Sequence, residues 1–209
     1  MRIEIQKIQY ANSTLREDWV FLGGKREIEL PIIFCVYLIK TDFKTILVDA
    51  GCETMPGFDM KNFISPIKAL EQIGVTPNEI TDVIITHAHH DHIECVKYCP
   101  SATIHLQREE LKRARKYIPE AFSLNLFDDS FSICEGVEIV KIGGHSIGSC
   151  IVTVKQENTT YVIAGDECYY RECLTEKIPT GNSFSPEKSL AFIQEYSAPQ
   201  YTVLLMHDD

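Results

Sequence analysis

Residues 87–92 read HAHHDH, and four of the chain's seven histidines fall in those six positions. Neutral imidazole nitrogens and carboxylate oxygens are ligands for Zn²⁺, Fe²⁺ or Mn²⁺. Two histidines two residues apart on a tight loop, here His87 and His89, can turn both rings toward one ion. Asp91 and His92, which follow, can face a second. The competing reading is a polar loop that is merely rich in histidine, but composition alone rarely concentrates one residue type in this way.

Three more metal-compatible side chains recur downstream. GGHSIGS (143–149) sets His145 in a glycine-flanked loop between two strands. YVIAGDE (161–167) sets Asp166 just after an apolar strand, and TVLLMHDD (202–209) sets His207 at the end of the last one. Taken singly, each has an ordinary explanation. A histidine after a strand often faces solvent, and an aspartate there commonly forms a turn. Taken as an ordered set, each is delivered by a rigid strand to the loop at its tip, an arrangement that fixes ligands well.

The elements that must position these groups follow from local pattern. Strands are expected at 2–10, 31–40 and 44–49, the last ending in ILVDAG, an apolar run stopped by a turn signal. A helix is expected over 64–73, with Pro66 in its first turn and Gly74 as its stop. TDVIIT (81–86) reads as a short buried strand with the histidine cluster at its end. Beyond it come a helix at 91–97, a strand at 102–106 and a helix at 107–117. Strands follow at 130–133, 136–142, 149–155 and 160–164, then a helix at 186–195 and a strand at 202–206. This is neither strict βαβ alternation nor an all-β chain. Two sheets face to face with helices outside fit the count, in one domain over residues 1–209.

Composition excludes several classes of function. The chain is 44% hydrophobic and 24% charged, with a formal net charge of −10. An acidic surface repels phosphate backbones, so no nucleic-acid partner is expected. REELKRARK (108–116) reads as one solvated helix face. The longest apolar run, PIIFCVYLI, has strand length and is too short for a membrane span. The start, MRIEIQKIQYA, lacks a signal-peptide core, so the expected location is cytoplasmic. The eight cysteines are scattered, and several sit in strand patterns (Cys35, Cys134, Cys150). They read as reduced thiols, with neither the Cys95/Cys99 nor the Cys168/Cys173 pair at zinc-finger spacing.

The ordered set HAHHDH, GGHSIGS, AGDE and LMHDD resembles the metallo-β-lactamase-fold superfamily, as does the upstream ILVDAG, over a span from about Ile32 onward. The resemblance implies an α/β chain folded as a four-layer αββα sandwich. It also implies two divalent ions, zinc first with iron or manganese as alternatives. His87, His89 and His145 would bind one ion, Asp91, His92 and His207 the other, and Asp166 would bridge them. It further implies a hydroxide shared by the ions as nucleophile, since metal binding lowers the pKa of water to about 7. Asp91 would carry a proton to the leaving group. His90 lies inside the motif but outside its ligand pattern.

Within the superfamily the likeness is to the N-acyl homoserine lactonases. It is carried by the segment GDECYYRECLTEKIPTGNSFSPEKSLAFIQEY (165–196) and by the His207–Asp208 pair. The resemblance implies a small-molecule lactone or ester substrate, with the Tyr169 hydroxyl reaching its carbonyl. The chain departs from that group in several places, among them GGHSIGS, which lacks the proline usual before the loop histidine. CETMPGFDMKNF (52–63) is much shorter than the lactonases' substrate loop, and Glu94 stands where many relatives have glycine. Met55, Phe58, Phe63 and Phe184, with Trp19, are the expected lining of an apolar substrate pocket. A glyoxalase II-like thioester hydrolase and a di-iron redox or sensor protein of the same fold are the alternative readings.

Overall fold

The computed structural model describes residues 2–157 and 159–208. In chain order the strands are β1 (Glu4–Arg16), β2 (Glu29–Lys40), β3 (Thr45–Val48), β4 (Asp82–Ile85), β5 (Thr103–Gln107), β6 (Ser123–Phe127), β7 (Ser130–Cys134), β8 (Val137–Lys141), β9 (Cys150–Gln156), β10 (Thr159–Ile163) and β11 (Tyr201–Leu204). The α-helices are α1 (Glu17–Val20), α2 (Pro66–Gln72), α3 (His90–Ile93), α4 (Leu111–Ala114), α5 (Arg171–Glu176) and α6 (Pro186–Tyr196). The chain divides into two units. The first is Met1–Ser13 with Ile33–Phe127, and the second is Thr14–Ile32 with Asp128–Asp209.

The first unit is built on a six-stranded sheet of order β1-β2-β3-β4-β5-β6. β2 and β3 are antiparallel, while β3 through β6 run parallel. Parallel strands are covered on both faces and read as continuous apolar runs. β4, DVII, is buried at every position and sits between β3 and β5. α2 begins with Pro66 at its first turn, where proline's missing N–H costs nothing, and closes on Gly74 at φ 78°. At the N-terminal ends of the parallel strands, Asp82 accepts from His105 Nε2 (2.9 Å), Lys44 Nζ (2.7 Å) and Thr81 Oγ1 (2.7 Å).

The second unit carries a five-stranded sheet of order β11-β10-β9-β8-β7. It is antiparallel except for the parallel pair β10–β11, in which Ile163 lies beside Leu204. That pairing brings the ends of β10 and β11 out together. The unit's core includes Ile151, Val162, Cys168, Phe192, Ile193 and Val203. Ser185 caps α6 by accepting from Lys188 N, with Pro186 at the first helical position.

Several elements differ from the sequence-based expectation. β1 runs on to Arg16 because its alternation continues through small residues, Ala11 and Ser13, which are buried without being strongly apolar. β6 is an unexpected edge strand, half-buried and only five residues long. The helix expected at 107–117 becomes a 3₁₀ turn (Arg108–Glu110) followed by the short α4, because the Glu110 side chain turns inward. α5 was not expected, and the helix expected at 91–97 is α3 followed by a 3₁₀ turn. All eight cysteines are free thiols. Among the described residues no helix is long and apolar enough to cross a membrane.

Candidate metal centre

In the first unit the carboxyl end of β4 feeds Thr86, His87, Ala88 and His89 directly into α3, which carries Asp91 and His92. Loops at the carboxyl ends of parallel strands are the usual location of sites in such sheets. His87 Nε2 lies 2.9 Å from His89 Nδ1, and Asp91 Oδ2 lies 3.5 Å from His92 Nε2. The His87 and His92 ring centroids are 4.1 Å apart.

One buried carboxylate sets the tautomers of this cluster. Asp49, in the turn after β3 with a left-handed φ of 58°, accepts from His92 Nδ1 at 2.7 Å. It also accepts from Thr86 N and Thr86 Oγ1, both at 2.8 Å. A carboxylate only accepts, so His92 carries its proton on Nδ1 and keeps its lone pair on Nε2. The single Thr86 hydroxyl hydrogen is given to Asp49. Toward His87 Nδ1, 3.2 Å away, that oxygen therefore accepts, and His87 too is left with its lone pair on Nε2. A hydrogen bond to the far nitrogen is how proteins prepare histidine for a metal. Burial raises the Asp49 carboxyl above its ordinary value, and His92 and Thr86 pull against that shift.

In the second unit His145 stands on the loop between β8 and β9. Its Nδ1 lies 2.7 Å from the Asn182 carbonyl, which can only accept, so the lone pair is again on Nε2, 3.5 Å from Asp166 Oδ2. Asp166 follows β10 in a 3₁₀ turn opened by Gly165, and its Oδ1 lies 3.1 Å from His207 Nε2. His207 follows β11. Next to it, Asp208 accepts from Arg171 N at the start of α5, and the Arg171 guanidinium donates to Val203 O. Tyr169 is buried. Its hydroxyl donates to Asp166 Oδ2 at 2.9 Å, and its ring stacks on His207 with centroids 5.3 Å apart.

The seven residues expected as ligands are thus gathered within each unit, four in the first and three in the second. All seven side chains carry ligand atoms of the kind a divalent ion takes. The donor set fits: His87, His92 and His145 each present Nε2, and the carboxylates Asp91 and Asp166 lie beside imidazole nitrogens. Two of the buried thiols, Cys52 and Cys99, do not fit. Burial pushes the Cys52 and Cys99 thiols up to about 12, so neither is a thiolate near neutral pH.

Other expected residues have different surroundings. His90, assigned no ligand role, contacts Tyr117 Oη (3.1 Å) and Thr54 O (2.7 Å). Glu94 accepts from Glu53 N at 3.0 Å and pairs with Lys97. Although burial alone would raise its carboxyl, these partners hold it below the ordinary value. Phe58 packs edge-on against Phe34, and Met55 is half-buried in the same turn. Phe63, Phe184 and Trp19 are exposed. In the second unit Phe184 N donates to His145 O, and Asn182 N donates to Trp19 O. Asp49, Glu110, Glu167 and Asn182 went unassigned from sequence. Only Asp49 left a signal, as the turn residue of ILVDAG.

The sequence profile of the Metallo-beta-lactamase superfamily matches residues 36–206. A probable metallo-hydrolase of Methanocaldococcus jannaschii is 29% identical over 163 residues, 78% of this chain and 70% of its own. The N-acyl homoserine lactonase AiiB of Agrobacterium fabrum is 24% identical over 241 residues, 95% of this chain and 87% of its own. Among solved structures, an N-acyl homoserine lactone hydrolase with N-hexanoyl-L-homoserine bound at its catalytic metal center matches with a TM-score of 0.86 at 19% identity. That match covers 100% of this chain and 94% of the other. A dizinc quorum-quenching lactonase matches at 0.77 and 17% identity, covering 99% and 88%. These structural likenesses establish the fold, a mixed α/β architecture with two sheets.

Proposed function

The chain belongs to the metallo-beta-lactamase superfamily, and from that premise we propose that it is a dinuclear metal hydrolase that opens a lactone or cleaves a related small carboxylic ester. His87, His89 and His145 would hold one ion and Asp91, His92 and His207 the other, with Asp166 shared between them. Residues 1–209 would act as one domain. Bound there, two divalent ions, zinc in the first place, would supply Lewis acidity and water of lowered pKa.

The observation that carries this reading is tautomeric. Asp49 and Thr86 in one unit and the Asn182 carbonyl in the other hold three histidines with the lone pair on Nε2. That arrangement turns a coordinating nitrogen of each toward neighbouring imidazole or carboxylate groups of the proposed ligand set.

The remaining roles belong to side chains. The Tyr169 hydroxyl, held on Asp166, would donate instead to the substrate carbonyl oxygen as charge builds there. The Asp91 carboxyl would hold the proton that the departing alkoxide needs. Met55, Phe58, Phe63 and Phe184 would contact the apolar part of the substrate. Among these, Phe184 has the clearest support, because its backbone is bonded to that of His145. The lactone reading over other esters is supported by the named activities of the relatives, such as AiiB. A cytoplasmic location is supported by the eight free thiols.

The test is a substrate panel on metal-loaded protein, comprising homoserine lactones of graded acyl length, γ- and δ-lactones, glutathione thioesters and β-lactams. Turnover of lactones above the others is expected. A preference for glutathione thioesters would replace this reading with the glyoxalase II-like one. Oxygen consumption by iron-loaded protein would replace it with the redox one.

A further inference from the structure

Glu167 is fully buried and follows Asp166 directly, yet nothing in the proposed chemistry uses it. Its partners are all neutral donors on a single loop. Oε1 accepts from Gly144 N at 3.1 Å, from His145 N at 3.3 Å and from the Ser149 hydroxyl, while Oε2 accepts from His145 N at 3.2 Å. The glycine is part of the same fit. A Cβ on Gly144 would stand 2.2 Å from Glu167 Oε2 and 2.9 Å from Ser189 N. The loop can therefore reach the carboxylate only because residue 144 has no side chain.

A buried carboxylate without a cationic partner is costly and persists only when its donors are well placed. This one ties together the two turns that present His145 and Asp166. Its backbone is continuous with Asp166, and its side chain grips the peptide N–H of His145 itself. The Asn182 carbonyl fixes that histidine's ring from the opposite side, at Nδ1. Backbone and ring are thus held separately, which leaves the imidazole little freedom to swing away from Asp166.

The geometry points to Glu167 as a positioning residue that sets the distance between the His145 and Asp166 ligand atoms through the His145 main chain. The inference rests on the metal-binding reading above and deepens it. It places the control of ion affinity in a residue that would not touch the ion. Glutamine has nearly the same volume but only one acceptor oxygen, and its amide NH₂ would face the Gly144 N–H, the His145 N–H or the Ser149 hydroxyl. The acceptor function is what the substitution removes.

The experiment uses the full chain and Co²⁺ as the probe, read by competition with a chelating dye and by visible absorption. Thermal unfolding of the metal-free proteins is measured alongside. For Glu167→Gln the expectation is a loss of Co²⁺ affinity of about 10–100-fold, the range typical of outer ligand-orienting residues, with an altered visible band. Ser149→Ala, which leaves both backbone donors in place, should lose affinity by a smaller factor, and Ser149→Thr should restore it. If Glu167→Gln does not fold, the Ser149 pair decides the matter: equal affinity in Ser149→Ala, Ser149→Thr and wild type overturns the proposal. Equal affinity and an unchanged band in a folded Glu167→Gln overturn it as well. A wild-type chain that binds no Co²⁺ overturns the metal-centre reading itself, and this inference with it.

Discussion

The Tyr169 hydroxyl donates to Asp166 Oδ2 at 2.9 Å, while the tyrosine ring stacks on His207 at 5.3 Å. One side chain is thereby held by two residues of the proposed ligand set, with its single hydroxyl hydrogen available near the place where substrate charge would develop. Tyr169→Phe keeps the stack and removes the hydrogen. Lactone turnover is expected to fall about 100-fold in kcat, the scale for losing one such donor, with the metal content unchanged. Undiminished kcat would remove Tyr169 from the mechanism.

Asp49 receives three donors, Thr86 N, Thr86 Oγ1 and His92 Nδ1. An asparagine there could not satisfy all three. Asp49→Asn should therefore weaken metal retention by about 10–100-fold, seen as lower metal content after dialysis against a graded chelator. Retention equal to wild type would mean that the histidine tautomers are set elsewhere.

Chelation should lower both activity and unfolding temperature, and zinc, manganese or iron should restore them. An ion that binds only the folded chain stabilises it by about 4 kcal/mol at a thousandfold excess over its Kd. Elemental analysis of protein purified without added metal should give about two ions per chain, one for each proposed ligand set. A near-zero content, with no thermal response to added zinc, would contradict the dinuclear reading.

Asp82 is expected to contribute to acid sensitivity in the first unit. Burial alone would raise its carboxyl, but hydrogen bonds from His105, Lys44 and Thr81 outweigh that and hold it well below the usual carboxylate range. A depressed folded value means the stabilisation is complete above the unfolded pKa, about 3.9, and is lost as pH falls below it toward the folded value. Wild type should therefore lose stability on acidification below roughly pH 4. Asp82→Asn should be weaker by about 3 kcal/mol at neutral pH and show a flatter dependence in that acid window. Parallel urea-melt profiles for the two proteins would refute this.

Gly144→Ala would place a methyl 2.2 Å from Glu167 Oε2 and 2.9 Å from the Ser189 backbone. The second contact is with main chain and cannot swing away. A loss of about 1–3 kcal/mol is expected, the range for overpacking, together with weaker metal binding. A stable variant with full metal affinity would show that the loop yields more readily than the geometry implies.

What the sequence disclosed was what is local in it. HAHHDH is one contiguous stretch, β4 is one apolar run, and α2 is bounded by Pro66 and Gly74, so each could be read within a short window. The groups that orient the ligands were not legible, because their meaning lies in distant partners. Asp49 meets His92 across 43 positions, Glu167 meets Gly144 across 23, and Glu110 accepts from Ala88 N across 22. That last bond also accounts for the missed helix at 107–117, since a glutamate on an apparent solvent face turned inward. Phe58 was expected in the pocket from its type alone, and its edge contact with Phe34 at 6.2 Å is one that no pattern encodes.

The segment Thr14–Ile32 belongs to the second unit, although about a hundred residues of the first separate it from the rest of that unit. During synthesis these early residues must wait for Pro179 and Asn182, whose backbone groups bond Leu22 and Trp19. Trp19 is the chain's single tryptophan. Its fluorescence is thus expected to report the pairing of residues 19–22 with residues 179–182, a contact that needs both stretches of the second unit.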